Sequence, residues 1–239
     1  MQSKLGAVTF GHEGGLLGFS AGPLAVSALK LGPVEVTGTV MYSLIVSAAL
    51  ILFALLARAG MSRLSGWQVA AEFLVEHFEG IMRDMFGRDP RPYTPLVVTL
   101  ALFIGAANLL GLLPGMRSPT ADFSTTAALA VIVFLAVPYY GVRAHGLKGY
   151  LKHYLEPTPL MAPLEIISEF SRTLALAVRL FGNVMSEELV ISVLLLIAGF
   201  LVPIPIMMLA VLTGLVQAYI FAVLTVVYLS AAVRTHANH

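Results

Sequence analysis

The sequence predicts an all-α, polytopic membrane protein with five membrane helices, the last two long and strongly tilted as a hairpin, plus an amphipathic surface helix. Three observations carry this expectation. Hydrophobic residues make up 58% of the 239 and charged residues 11%, whereas about a quarter of a soluble domain is charged. The charges cluster between apolar runs of about 20 residues, the length that crosses ~30 Å of hydrocarbon. From Leu164 to Val202 no proline intervenes, and one helix of that length, about 58 Å, is too long to cross the bilayer upright.

The elements follow in order. Residues 1–37 are glycine-rich and carry only Lys4, Glu13, Lys30 and Glu35 as charges, as expected of an extracytoplasmic N-terminal segment with loops. No charged start, apolar stretch and small-residue cleavage site occur together there, so no cleaved signal is expected. Residues 38–93 hold a first span at about 39–57 and then an amphipathic cytoplasmic helix over 66–86. In that helix Trp67, Phe73, Phe78, Met82 and Met85 alternate at helical spacing with Glu72, Glu76, Glu79, Arg83 and Asp84. Residues 94–156 read as a transmembrane hairpin, with spans at about 94–113 and 122–140, followed by a basic cytoplasmic loop holding Arg143, His145, Lys148, Lys152 and His153. Residues 157–239 form the long tilted hairpin, turning at Pro203-Ile-Pro205. With five spans, one side of the membrane collects nine Lys or Arg and the other three. The positive-inside rule then places the N-terminus outside and the C-terminus in the cytoplasm.

Composition also excludes several classes. The net charge of +1 comes with no basic stripe, which argues against nucleic-acid binding. Cysteine is absent and the six histidines are isolated, so neither a thiolate nor a zinc-protease pattern exists, and no metal or cofactor is expected. No nucleotide-binding loop is present, so no nucleotide hydrolysis is expected of the chain itself.

Arg179 lies deep in the most apolar half of the chain, in Leu174-Ala-Leu-Ala-Val-Arg179-Leu-Phe-Gly-Asn183. A guanidinium does not lose its proton, and on insertion scales such a charge costs at least ~2.5–3.5 kcal/mol, which makes it a functional-site hypothesis. At about 100° per residue, Glu165, Glu169, Arg172, Leu176, Arg179, Asn183 and Glu187 fall near one line of the helix. Glu188 projects to the opposite side, about 13.5 Å along the axis from Arg179. On the last helix Thr213, Gln217 and Tyr228 share a face with Ala210 and Gly214. A structural reading stays open for each group. Arg179 could be an ion-pair partner of Glu187 that fixes register, Glu165, Glu169 and Arg172 a solvated helix start, and the small-residue stripe a packing seam.

The run Arg179-Leu-Phe-Gly-Asn183 with Glu188, followed by Gln217-Ala-Tyr-Ile-Phe221 and Leu224-Thr-Val-Val-Tyr228-Leu-Ser, resembles subunit a of the F-type ATP synthase membrane sector. Asn108-Leu-Leu-Gly-Leu-Leu-Pro114-Gly resembles that family's first transmembrane hairpin, and the likeness covers about residues 40–232. The resemblance implies a non-catalytic, proton-translocating stator subunit in a bacterial inner membrane. Its partners would be a ring of proteolipid c subunits, the peripheral-stalk b subunits and the rest of the synthase. It implies two offset half-channels separated by Arg179, the essential arginine. Asn183 would be its neighbouring amide, Glu188 the acid of the outer half-channel, Gln217 the glutamine facing the arginine, and Glu165 an acid at the inner exit. Glu169 and Glu187 join the pathway as further acids of the same helix. One departure is Ala210, where some members carry a second titratable group, a gap that Glu187 is positioned to fill. The alternative is a secondary transporter binding an anionic substrate at Arg179, which predicts inverted repeats and broken half-helices; the sequence shows no such repeat.

Overall fold

The structure, a computed structural model, describes residues 29–31, 34–36, 38–59, 66–87, 89–113, 116–155, 161–199 and 201–234. A short antiparallel ribbon, β1 (Leu29–Leu31) and β2 (Val34–Val36), pairs Lys30 with Glu35. The rest of the segment expected over 1–37 lies outside the described residues, as do Pro114, Pro157 and residues 235–239. Six α-helices follow among the described residues: α1 (Gly38–Ala59), α2 (Gly66–Phe86), α3 (Thr94–Leu110), α4 (Phe123–Leu155), α5 (Met161–Ala198) and α6 (Ile204–Arg234). Among the described residues four stretches are long and apolar enough to cross a membrane: Gly38–Leu56, Phe123–Tyr150, Pro163–Ala198 and Ile204–Val233. α3 is apolar but has 17 residues, about 26 Å. The chain is an integral membrane protein with a helical membrane body.

Packing sorts these helices. α5 lies most extensively against α4, and α6 against α3, more than α5 and α6 lie on each other. Where they meet, Val97 and Ile104 of α3, Val133 of α4, Leu176 and Leu180 of α5, and Phe221 and Val226 of α6 are buried. α2 adds Phe78, Met82 and Phe86 from one face while Glu72, Glu76, Arg83 and Asp84 stay exposed on the other. This is the expected amphipathic helix over the expected residues, because two faces of opposite character can each be satisfied only at a boundary. α1 stands apart, with Val46 its buried side chain among the described ones. Its Thr39 hydroxyl donates to Asp122 Oδ2 at 3.0 Å.

Asp122 in turn caps α4, accepting the Ser124 backbone N–H at 2.9 Å, as an N-cap carboxylate does. Burial pushes its carboxyl up, but the Ser124 amide and the Ser124 and Thr39 hydroxyls outweigh that and hold it below the ordinary value of 3.8.

Three boundaries differ from expectation. α3 ends at Leu110 rather than near 113, because Gly111, Leu112 and Leu113 form a tightening turn, with Leu112 N–H donating to Leu109 O and Leu113 N–H to Leu110 O. The basic segment after residue 140 is helix, not loop: α4 runs on through Pro138 and bends at Gly146 (φ 73°, ψ 161°). Charge density made it look like a loop, but its helix formers persist. The bend brings the Tyr150 ring onto Gly141, where a Cβ would meet a ring carbon at 2.5 Å. The α5–α6 turn comes four residues earlier than Pro203-Ile-Pro205 implied. Gly199, at φ 70°, terminates α5 in the left-handed conformation that favours glycine, and Pro205 falls in the first turn of α6, where a missing N–H is harmless.

Candidate functional site

Arg179 is positioned by its helix rather than by a partner. Leu176, Ala177, Leu180 and Val184 are buried positions of α5, and the 3.6-residue period leaves Arg179 exposed on their flank. Among the described residues it makes no ion pair. The option that Arg179 pairs with Glu187 does not hold among these residues, since Glu187 Oε1 accepts a hydrogen bond from Thr213 Oγ1 of α6.

The predicted line of polar residues on α5 is divided by that packing. Leu176 is buried, Glu169 and Glu187 are half-buried, and Glu165, Arg172, Arg179 and Asn183 are exposed. Gln217, which the resemblance set opposite Arg179, meets Asn183: Asn183 Nδ2 donates to Gln217 Oε1 at 2.9 Å. Gln217 is 3% exposed, and its Nε2 is buried with no hydrogen-bond partner. An unpaired buried donor of this kind costs about 1–3 kcal/mol, so its placement beside the exposed face of α5 calls for an explanation.

Glu188, on the other flank of α5, is half-buried against the turn between α3 and α4. Its Oε1 accepts the backbone N–H of Ser118 at 2.7 Å. From there a polar chain crosses the interface. Ser118 Oγ lies 3.0 Å from Ala107 O and 2.6 Å from Thr120 Oγ1; Thr120 Oγ1 donates to Asn108 Oδ1 at 2.6 Å; and Asn108 Nδ2 donates to Gly214 O of α6 at 3.0 Å. Asn108, Ser118 and Thr120 are all buried. None of the three was singled out as a site residue, although an asparagine inside the apolar run of α3 is the same kind of signal as Arg179. Ser118 contributes through its backbone, which no residue type announces.

At the other end of α5, Glu165, Glu169, Arg172 and Thr173 line a cleft with Tyr150 of α4 and Tyr228 of α6. Arg172 Nη2 donates to Ser168 Oγ at 3.0 Å. By helix rise, Glu165 lies about 21 Å from Arg179 along the axis and Glu188 about 13.5 Å on the other side. Two polar groups able to exchange protons thus sit at different depths and on different flanks, with a permanent cation between them. Among the described residues no cluster of groups could hold a metal ion.

Comparison with known proteins identifies the family. The profile of the family described as ATP synthase A chain matches residues 40–230. A relative from Hahella chejuensis named ATP synthase subunit a 1 is 46% identical over 207 residues, covering 86% of this chain and 88% of the relative. One from Bradyrhizobium sp. named ATP synthase subunit a 2 is 46% identical, covering 90% and 98%, and one from Albidiferax ferrireducens named ATP synthase subunit a is 51% identical, covering 73% and 75%. With its polar groups set along two long helices and most of its length matched, the chain belongs to the ATP synthase A chain family.

Proposed function

We propose that the chain is the proton-translocating stator of an F-type ATP synthase, working against a rotating ring of proteolipid c subunits. The observation that carries this reading is Arg179 itself, a cation on an open helix face with no ion-pair partner among the described residues. Around it Ser171, Ala175, Gly182 and Ser186 are also exposed, and small residues let another membrane helix approach closely. The counter-charge is a ring carboxylate that passes this face. Glu188, with the Ser118, Thr120 and Asn108 cluster, forms the outer path, and Glu187 with Thr213 supplies a second acid near Ala210. The cleft of Glu165 and Glu169 forms the inner exit. Arg179 separates the two paths because it repels hydronium and has no deprotonated state to relay a proton.

Five spans, with α3 as the short one, place the α3–α4 turn outside and the basic end of α4 in the cytoplasm of a bacterial inner membrane. Glu188 then faces the outer side and Glu165 the inner, as the two paths require. Strong tilt of α6 is supported by its length, because 31 residues span about 46 Å, well beyond ~30 Å of hydrocarbon. α2 bears exposed charges and belongs at the interface. The exposed charged face of α2 is where the peripheral-stalk b subunits would meet the chain.

Site-directed cross-linking tests the reading. The native chain has no cysteine, so single cysteines at Val178 and Asn183, both exposed, report cleanly. The expected product in assembled synthase is a cross-link to the hairpin proteolipid. Its absence from both positions in assembled complex overturns the proposal. Leu176, attractive from helical spacing alone, is 1% exposed and unsuitable.

A further inference from the structure

Gly111 has ordinary helical dihedrals, φ −64° and ψ −15°, so nothing in its backbone demands glycine. The space around it does. A Cβ there would lie 2.6 Å from Ser118 Cβ, 3.0 Å from Ser118 N and 3.2 Å from Ser118 Cα. The atom crowded at 3.0 Å is the nitrogen whose N–H binds Glu188 Oε1 at 2.7 Å.

From this contact we infer that Gly111 is a positioning residue for Glu188, acting through the Ser118 amide. The inference rests on Glu188 being an acid of the outer path. Ser118 is extended (φ −66°, ψ 127°), the conformation imposed on a residue that precedes proline, here Pro119. Its hydroxyl is tied inward to Ala107 and Thr120, which leaves the amide as the group turned toward α5. Because α3 carries no side chain at 111, the turn seats directly on it and the amide reaches across to the carboxylate. A second close approach braces the other end of the chain: a Cβ on Gly214 would meet Asn108 Cβ at 3.0 Å, while Gly214 O accepts from Asn108. The amide cannot relay a proton, so its part is to orient. It holds Oε1, while Oε2 takes no hydrogen bond among the described residues and is the oxygen left for proton exchange.

The test uses the whole synthase in proteoliposomes with the pH set independently on each side. Gly111→Ala is expected to lower proton-driven ATP synthesis roughly tenfold to hundredfold, the worth of one hydrogen bond to a charged group. It should also displace the dependence on outer pH and leave the dependence on inner pH in place. Gly105→Ala, whose Cβ would meet only Ala218 Cβ at 3.8 Å, adds a methyl to the same helix without touching Ser118 and should keep the native rate and profile. Glu188→Gln separates the two layers of the reading. Native transport in Glu188→Gln overturns the role of Glu188 itself, whereas an inactive Glu188→Gln beside a Gly111→Ala with native rate and profile overturns the positioning role alone. If Gly111→Ala does not assemble, the double variant Gly111→Ala/Ser118→Gly removes the 2.6 Å collision but leaves the contacts to the nitrogen and Cα of residue 118 at 3.0 and 3.2 Å. Assembly with lowered transport and a displaced outer-pH profile is then expected, and either a native rate and profile or a failure to assemble overturns the inference.

Discussion

Arg179→Ala takes away a cation that has no ion-pair partner among the described residues and stands on an exposed flank of α5. Truncation therefore orphans no partner inside the chain and relieves an insertion penalty of at least ~2.5–3.5 kcal/mol. Folding and assembly should survive. Function should not: at ~4 Å and an effective dielectric of ~20, a unit cation stabilises a passing carboxylate by about 4 kcal/mol, or about three pKa units. Loss of that interaction should slow deprotonation of a ring carboxyl about a thousandfold and open a direct leak between the two paths. Arg179→Lys keeps the charge on a more hydrated group that can shed its proton in a low dielectric, and should fall between the wild type and alanine. The assay is ATP synthesis and ATP-driven acidification in inverted membrane vesicles, normalised to the amount of assembled synthase. Undiminished ATP synthesis in Arg179→Ala would refute the functional reasoning, and failure to assemble would refute the claim that the arginine has no structural partner.

Asn108→Leu should cost about 1–3 kcal/mol, because it removes two buried hydrogen bonds, to the Thr120 hydroxyl and the Gly214 carbonyl, at about 0.5–1.5 each; a lowered thermal midpoint of the detergent-purified complex checks it. Gly146→Val forces a β-branched residue to φ 73° and ψ 161°, a region essentially open to glycine alone, and should cost roughly 1–3 kcal/mol. Gly149→Ala, whose Cβ meets His145 Cβ at 3.4 Å, should be far milder in the same melt. Asp122 is held below its ordinary value of 3.8 in the fold, so its stabilisation is complete above the unfolded pKa and disappears as pH falls through the lowered one. The gap in thermal midpoint between wild type and Asp122→Asn should therefore be open at neutral pH and close in strong acid. A gap that widens in acid would show that the sign is wrong.

Much of this architecture is legible because a bilayer leaves few choices. The limits of α2 could be read from alternation alone, since Phe78 and Met82 need cover and Glu72 and Glu76 need water. The extension of α4 past residue 140 could not, because basic residues at a membrane surface look alike in a loop and in a helix; Tyr150 lying on Gly141 is a tertiary fact. The candidate site divides in the same way. The resemblance set Gln217 opposite Arg179, whereas the hydrogen bond present joins it to Asn183, one turn further along α5. Which ladder residues are covered depended on where α4 and α6 lie, and so Leu176 went inside while Arg179 stayed open. The Ser118 contact was invisible because backbone amides are the same at every position.

The thin attachment of α1 bears on how the protein is made. Thr39 finds its hydrogen-bond partner, Asp122, 83 residues further along the chain. At about 5–20 residues per second, roughly 4–17 s separate the synthesis of one from that of the other. During that interval α1 is in the bilayer with no α3 or α4 to dock on, and its near-continuous apolar surface lets it wait there in contact with lipid alone.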